Sequence, residues 1–200
     1  MDHMHLVLPT SVAPIRIMLD EPLYDEDLLW LCEQNEVFHV EREPDGTLLA
    51  RKIGGGLSGS IGGKLTMALG NWAEADGRGE VCYNTGFFLN DGSMRGPRLA
   101  WVSHERMATL TPEQRDGFPP IAPEFVIELV SRSYTLTELQ AKMRAWIANG
   151  TELAWLVDPT RKAVEIYRPG REPEVLEGAS AVEGEGPVAG FVLELGKVWG

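Results

Sequence analysis

Between Pro123 and Pro159 the chain reads PEFVIELVSRSYTLTELQAKMRAWIANGTELAWLVDP. The two flanking runs, Glu124–Val130 and Leu153–Val157, are short, apolar and rich in β-branched and aromatic residues, which predicts buried strands. Between them Leu139, Met143, Trp146 and Ile147 recur at helical spacing. Thr135 or Thr137 supplies a cap, and Gly150 a stop. The segment is therefore strand, helix, strand, and everything else must pack around it. It also carries a cost. Glu128 stands inside the first apolar strand, and a carboxylate there is expensive to bury unless it is paired or holds a cation. Lys142 stands on the following helix.

The rest of the chain divides readily. The N-terminal 1–22 reads as an extended arm, and 23–200 as a single domain with ample apolar content, 44%. Asp25 is expected to cap a helix with Leu28, Leu29, Leu31 and Cys32 inward. Residues 37–43 alternate and suit a strand, Asp45-Gly46 signals a hairpin turn, and 47–53 returns as its partner. The glycine-rich stretch from Gly54 invites a phosphate-loop reading, but its spacing is neither GxxxxGK[ST] nor GxGxxG. It reads instead as a turn feeding a helix over 61–75, with Gly62 and Gly63 allowing close packing against a sheet. Residues 80–89 suit one bent or two short strands, and 98–103 a further strand. Short helices follow from His104 and from Thr111, the latter with Pro112 at its first position and Gln114 as capping partner. An alternating strand covers 163–167. The Gly-, Pro- and Glu-rich run 168–190 is expected to be a mobile surface hairpin or loop, before a closing strand at 191–195.

Charge and cysteine usage narrow the function classes. There are 30 Asp and Glu against 18 Lys and Arg, a net charge of −12. Such a surface on average repels nucleic acid, though a local basic cleft is compatible with it. Cys32 and Cys82 lack CxxC or CxxH spacing, which argues against a zinc site or disulfide scaffold and fits a reducing cytoplasm. The N-terminus lacks the basic n-region of a signal peptide, and no run is long and apolar enough to span a membrane. His3 and His5 read as scattered terminal residues, and His39 and His104 as surface or turn residues without a partner at ligand spacing.

Taken together, TGFFLNDGSMRGP (85–97), AWVSHERM (100–107), LTPEQRDGFPP (110–120), PEFVIELVSRS (123–133), LTELQAKMRAWIANG (136–150), WLVDP (155–159), VEIYRPG (164–170) and GFVLEL (190–195) resemble the bacterial "putative restriction endonuclease" family. This is the Uma-two branch of the PD-(D/E)XK nucleases. The resemblance covers about residues 25 to 199. It implies an α/β (α+β) fold with a restriction-endonuclease-like core: a central mixed sheet flanked by helices, with an N-terminal helix and β-hairpin. It implies DNA as substrate, a homo-oligomer, and a divalent cation, Mg²⁺ or Mn²⁺, held by strand carboxylates beside a lysine. By resemblance Glu128 is the strand carboxylate and Lys142 the lysine, displaced onto the helix.

Two departures matter. Where the family reads R-x-P-D, this chain reads Arg95-Gly96-Pro97-Arg98, so Arg98 stands at the metal-binding Asp position. Where relatives read G-G-E-T-G-x-x-N, this chain has Leu57 at the Glu position and Gly62 at the Asn position. Replacing a carboxylate with a guanidinium changes the local charge from −1 to +1, which repels a divalent ion. Arg98 is therefore expected to pair with Glu128 across neighbouring strands. A compensating carboxylate is the alternative: Glu41, Glu43, Asp91 and Glu124 lie near predicted strands or turns. Glu124 shares a face with Glu128 and is a candidate second metal ligand, although Glu124 and Glu43 also read as solvated strand-end charges. Lys142 likewise reads either as a site residue or as an exposed partner of Glu138. Two functions stand: a divalent-metal-dependent endonuclease of weakened or lost activity, or a degenerate nuclease fold serving in binding, assembly or regulation.

Overall fold

The computed structural model describes residues 14–21, 23–52 and 55–199. His3 and His5, most of the expected arm, and residues 53 and 54 lie outside the described residues. In chain order the elements are β1 (Ile15–Ile17), α1 (Asp25–Glu33), β2 (Phe38–Arg42), β3 (Leu48–Lys52), α2 (Gly56–Asp76), β4 (Gly79–Tyr83), β5 (Phe87–Phe88), β6 (Met94–Arg95), β7 (Leu99–Ser103), α3 (His104–Ala108), α4 (Pro112–Asp116), β8 (Phe125–Leu129), α5 (Leu136–Ala148), β9 (Leu153–Asp158), β10 (Ala163–Tyr167), β11 (Glu174–Glu177), β12 (Ala181–Glu183), β13 (Val192–Glu194) and α6 (Leu195–Trp199).

A six-stranded mixed sheet, ordered β11-β10-β9-β8-β7-β4, forms the centre. β8 and β9 are parallel, with Glu128 opposite Leu156, and the other pairs are antiparallel. The parallel pair requires a crossover, which α5 provides. Both strands are buried along their whole length, so they read as continuous apolar runs rather than alternating ones. On one face, Leu139, Met143 and Trp146 of α5 pack on Val126, Ala154 and Leu156. Full burial of Leu139 or Met143 contributes about 1.5–3 kcal/mol each. On the other face, Leu65 and Leu69 of α2 join Phe191, Leu193 and Val198 against Phe125, Ile127 and Trp155.

A second sheet, β1-β3-β2-β6-β5, carries α1 on one side through Leu28, Leu31, Val40 and Leu48. The Asp45-Gly46 turn is formed, with Gly46 at φ 86°, and Glu41 pairs with Leu49 across it. Alternation along β2 sends Val40 toward α1 and turns His39 and Glu41 to the opposite side, toward the central sheet.

Several expectations are corrected. α1 starts at Asp25 with Tyr24 as cap, because the Asp25 carboxylate is taken by Arg42 at 2.7 Å. α2 begins five residues earlier than expected and absorbs Gly56, Gly59, Gly62 and Gly63 into its first turns, so the glycines there form no phosphate loop. The run 168–190 includes two short strands, β11 and β12, each an arm of a hairpin, in line with the hairpin expected there. β11 pairs with β10 and β12 with β13, and Arg168 ties Glu174 to Glu185 across the run. Its edge strands are exposed and short, so hydrophobic periodicity barely marks them. Both cysteines are free, and burial is the main cause that pushes Cys32 to about 12 and Cys82 to about 11.

Candidate active site

α5 is held in place by its own sequence. The Thr135 hydroxyl accepts the Glu138 N–H, the Glu138 carboxylate accepts the Thr135 N–H, and Asn149 and Gly150 close the far end. This fixes the helix phase, so that Lys142 falls on the inner face at 5% exposure. Its Nζ reaches three oxygens: Glu41 Oε1 at 2.6 Å, Glu128 Oε1 at 2.7 Å and the Gly96 carbonyl at 2.7 Å. An ammonium has three donors, and here all three are used. The Gly96 N–H also donates to Glu41 Oε1 at 2.9 Å, so both backbone groups of that residue serve the cluster. Trp146 Nε1 donates to Glu128 Oε1 at 3.3 Å.

The two carboxylates are buried at 4% exposure each but are not equivalent. For Glu41, burial acts to raise its pKa. Lys142, Arg95 and the Gly96 N–H outweigh burial and hold it below the ordinary carboxylate value. For Glu128, burial dominates; Lys142 opposes it and the neighbouring Glu41 reinforces it, so its pKa is raised. Lys142 is desolvated too, yet Glu128 and Glu41 push its pKa upward and keep it charged. Tyr134 closes the cluster, with its ring centroid 5.7 Å from Lys142 Nζ and 4.0 Å from Arg51 Cζ. Burial, first of all, drives the Tyr134 phenol to about 12.

Glu41 and Glu128 both line a cleft of about 690 Å³ between the two sheets. His39 lines it as well and lies in β2, not in a turn. Burial lowers its pKa, Lys142 and Arg98 add to the effect, and Glu41 opposes it.

The expected Arg98–Glu128 pair is not formed. Lys142 satisfies Glu128, and Arg98 lies over α2. Its Nη2 donates to the Ser58 carbonyl at 2.9 Å, and its Cζ stands 5.8 Å from the Tyr83 ring centroid. A Cβ at position 62 would overlap this guanidinium, so Gly62 is the seat that lets Arg98 lie there. Glu124 is also elsewhere. It accepts from the Ser103 hydroxyl at 2.5 Å and pairs with Arg106 at 3.1 Å, outside the cleft lining. Glu43 is paired with Arg95, and Asp91 accepts from Ser93 and Asn149. Leu57 is 77% exposed on the first turn of α2 and does not line the cleft. Of the four alternative carboxylates, Glu41 alone joins Glu128. Its signal was a charged residue inside a strand whose other face is apolar, shared with the polar His39.

A divalent cation fits this donor set poorly. Hard cations need several oxygens with charge to spare, whereas both carboxylates already balance Lys142 and the expected third position holds a guanidinium. Among the described residues no group of three or more His, Cys, Asp or Glu is arranged to hold a metal. No helix among them is long and apolar enough to cross a membrane.

Comparison with known proteins places this geometry in context. The fold is similar to the crystal structure of "a putative nuclease belonging to DUF820" from Anabaena variabilis ATCC 29413, with TM-score 0.69 and 19% identity over 80% of this chain and 89% of that one. No curated protein matches the chain at a significant level. The Uma2 family model, described as "Putative restriction endonuclease", matches residues 25–196, a span that includes Glu41, Arg98, Glu128 and Lys142; the chain belongs to that family.

Proposed function

We propose that the protein is a nuclease-family member whose hydrolytic centre has been converted into a closed ion cluster, with DNA cleavage weakened or lost. The carrying observation is that Lys142 spends all three of its donors on Glu41, Glu128 and Gly96, leaving none to orient a water. Arg98 supports the reading, because a positive charge at the third position opposes cation binding. The second reading, retained hydrolysis, draws on one fact: two carboxylates from different sheets still converge on one cation.

The deciding measurement is cleavage of single-stranded, duplex and branched DNA in Mg²⁺ or Mn²⁺. The unmodified protein is expected to be inert or nearly so. Arg98→Asp, alone or with Leu57→Glu, restores the charge the family places there and is expected to raise cleavage. Metal-dependent cleavage by the unmodified protein that disappears in Glu128→Ala would sink the proposal.

A further inference from the structure

Arg98 stands out among the buried or half-buried arginines. Arg42, Arg51, Arg95 and Arg106 each have a carboxylate within salt-bridge reach. Among the described residues Arg98 has none. Its guanidinium is nevertheless fixed. Nη2 is bonded to Ser58, Nε is buried without a partner, and the group lies over the backbone gap at Gly62. Nη1 carries no hydrogen bond among the described residues, and the side chain lines the cleft. The guanidinium is seated over Gly62, while Lys142 takes the carboxylates.

A fixed, uncompensated guanidinium in a concave site is a receptor for an oxyanion. Arg115, from α4, lines the same cleft and makes no ion pair among the described residues. The acids Glu33, Glu36 and Asp116 also line it but are exposed, so solvent screens them more than it screens Arg98, and the buried Glu41 and Glu128 that line it are both held by Lys142. Ser133 adds a hydroxyl, and Phe38 adds flat apolar surface on which a base can stack. The volume, about 690 Å³, is that of a small-ligand site.

We propose that Arg98 anchors a phosphate-binding site in this cleft, and that its ligand is a phosphomonoester of nucleotide size. The source is either a free nucleotide or the 5′-phosphate of a nucleic-acid end. This rests on the preceding functional reading, because a resident divalent cation would claim the same space.

The test is calorimetric titration in EDTA with AMP, adenosine, inorganic phosphate, and a short oligonucleotide with and without its 5′-phosphate. AMP or the phosphorylated oligonucleotide is expected to bind at least about tenfold more tightly than its unphosphorylated counterpart, the scale of a charge-assisted hydrogen bond. Whichever binds tighter identifies the source. Arg98→Met is expected to abolish that preference. Gly62→Ala keeps the charge but pushes the flexible guanidinium off its seat, and is expected to weaken binding by a similar factor while circular dichroism and melting report an intact fold. Equal binding of AMP and adenosine together with equal binding of the two oligonucleotides, or an unchanged preference in Arg98→Met, overturns the proposal. None of these outcomes depends on cleavage. Metal-dependent activity would count against the functional reading, and loss of nucleotide binding against this site.

Discussion

Glu41 and Glu128 share one ammonium, and their surroundings shift them in opposite directions, Glu41 downward and Glu128 upward. Glu41 has the Gly96 N–H and the field of Arg95 in addition to Lys142, whereas Glu128 has only the Trp146 N–H. Glu41→Gln removes one of the two carboxylates paired with Lys142, the one whose pKa is lowered, and is expected to cost about 3–5 kcal/mol at neutral pH, as for breaking a buried pair. Glu128→Gln keeps an acceptor for Lys142 and Trp146 and is expected to cost about 1 kcal/mol or less. The pH dependence separates them further. Glu41's lowered pKa stabilises the fold above the unfolded carboxylate range, and that contribution is lost as pH falls through its folded value. Glu128's raised pKa acts in the opposite sense, so stability falls as pH rises from the unfolded carboxylate range through its folded value. Urea denaturation of both variants from pH 4 to 8 checks this. A larger loss in Glu128→Gln at pH 7 would refute the assignment. The sequence made Glu128 and Lys142 conspicuous, since each is a charge at a buried position of a periodic pattern. It could not single out Glu41 from Glu43, Asp91 and Glu124, because which strand charge meets Lys142 depends on how the second sheet docks. For the same reason the Arg98–Glu128 pair was a reasonable but mistaken expectation: adjacency in strand order does not say that Lys142 arrives first.

Within α2, glycines differ by what lies beyond them. A Cβ at Gly63 or Gly70 meets nothing within 4 Å, so alanine there gains helix propensity without a clash. Gly63→Ala and Gly70→Ala are each expected to stabilise the protein by about 0.5–1 kcal/mol. Gly62→Ala gains the same propensity but must displace Arg98, and should raise the melting temperature less than either. An equal or larger rise for Gly62→Ala would mean that Arg98 is not seated there. The elements were legible where local chemistry is strong. The Thr135 cap, the Thr111/Gln114 capping box, the Asp45-Gly46 hairpin and the apolar runs of β8 and β9 all form as their residues imply. α2's start and the strand positions within 168–190 were not legible. Glycine lowers helix propensity even where tertiary packing imposes a helix, and short exposed strands carry little hydrophobic signal.

At the scale of the molecule, β2, β3 and β6 of the smaller sheet share a core with α1, whereas Phe87 of β5 belongs to the core under α5. The Lys142 cluster links β2 to β8 and α5. Arg51 reaches the Ser133 carbonyl at 3.0 Å, and Asp91 meets Asn149. Phe87 packs edge-on against Trp146. The central sheet is buried on both faces, whereas the smaller sheet leans on α1 and these links. The smaller sheet is therefore expected to open on its own. Native-state hydrogen exchange should show lower opening free energies for β2 and β3 amides than for β8 and β9 amides. Two variants test the architecture. Lys142→Met breaks a contact that either opening must break, so both sets of amides should lose the same amount, about 3–5 kcal/mol. Leu153→Ala carves a cavity in the α2 side of the central sheet, which stays closed when only the smaller sheet opens. It should lower β8 and β9 protection by about 2–5 kcal/mol and leave β2 and β3 unchanged until the two sets converge. Uniform protection across both sheets in the unmodified protein would instead make the molecule one cooperative unit. The Lys142 cluster would then be part of a single core and not a staple between two.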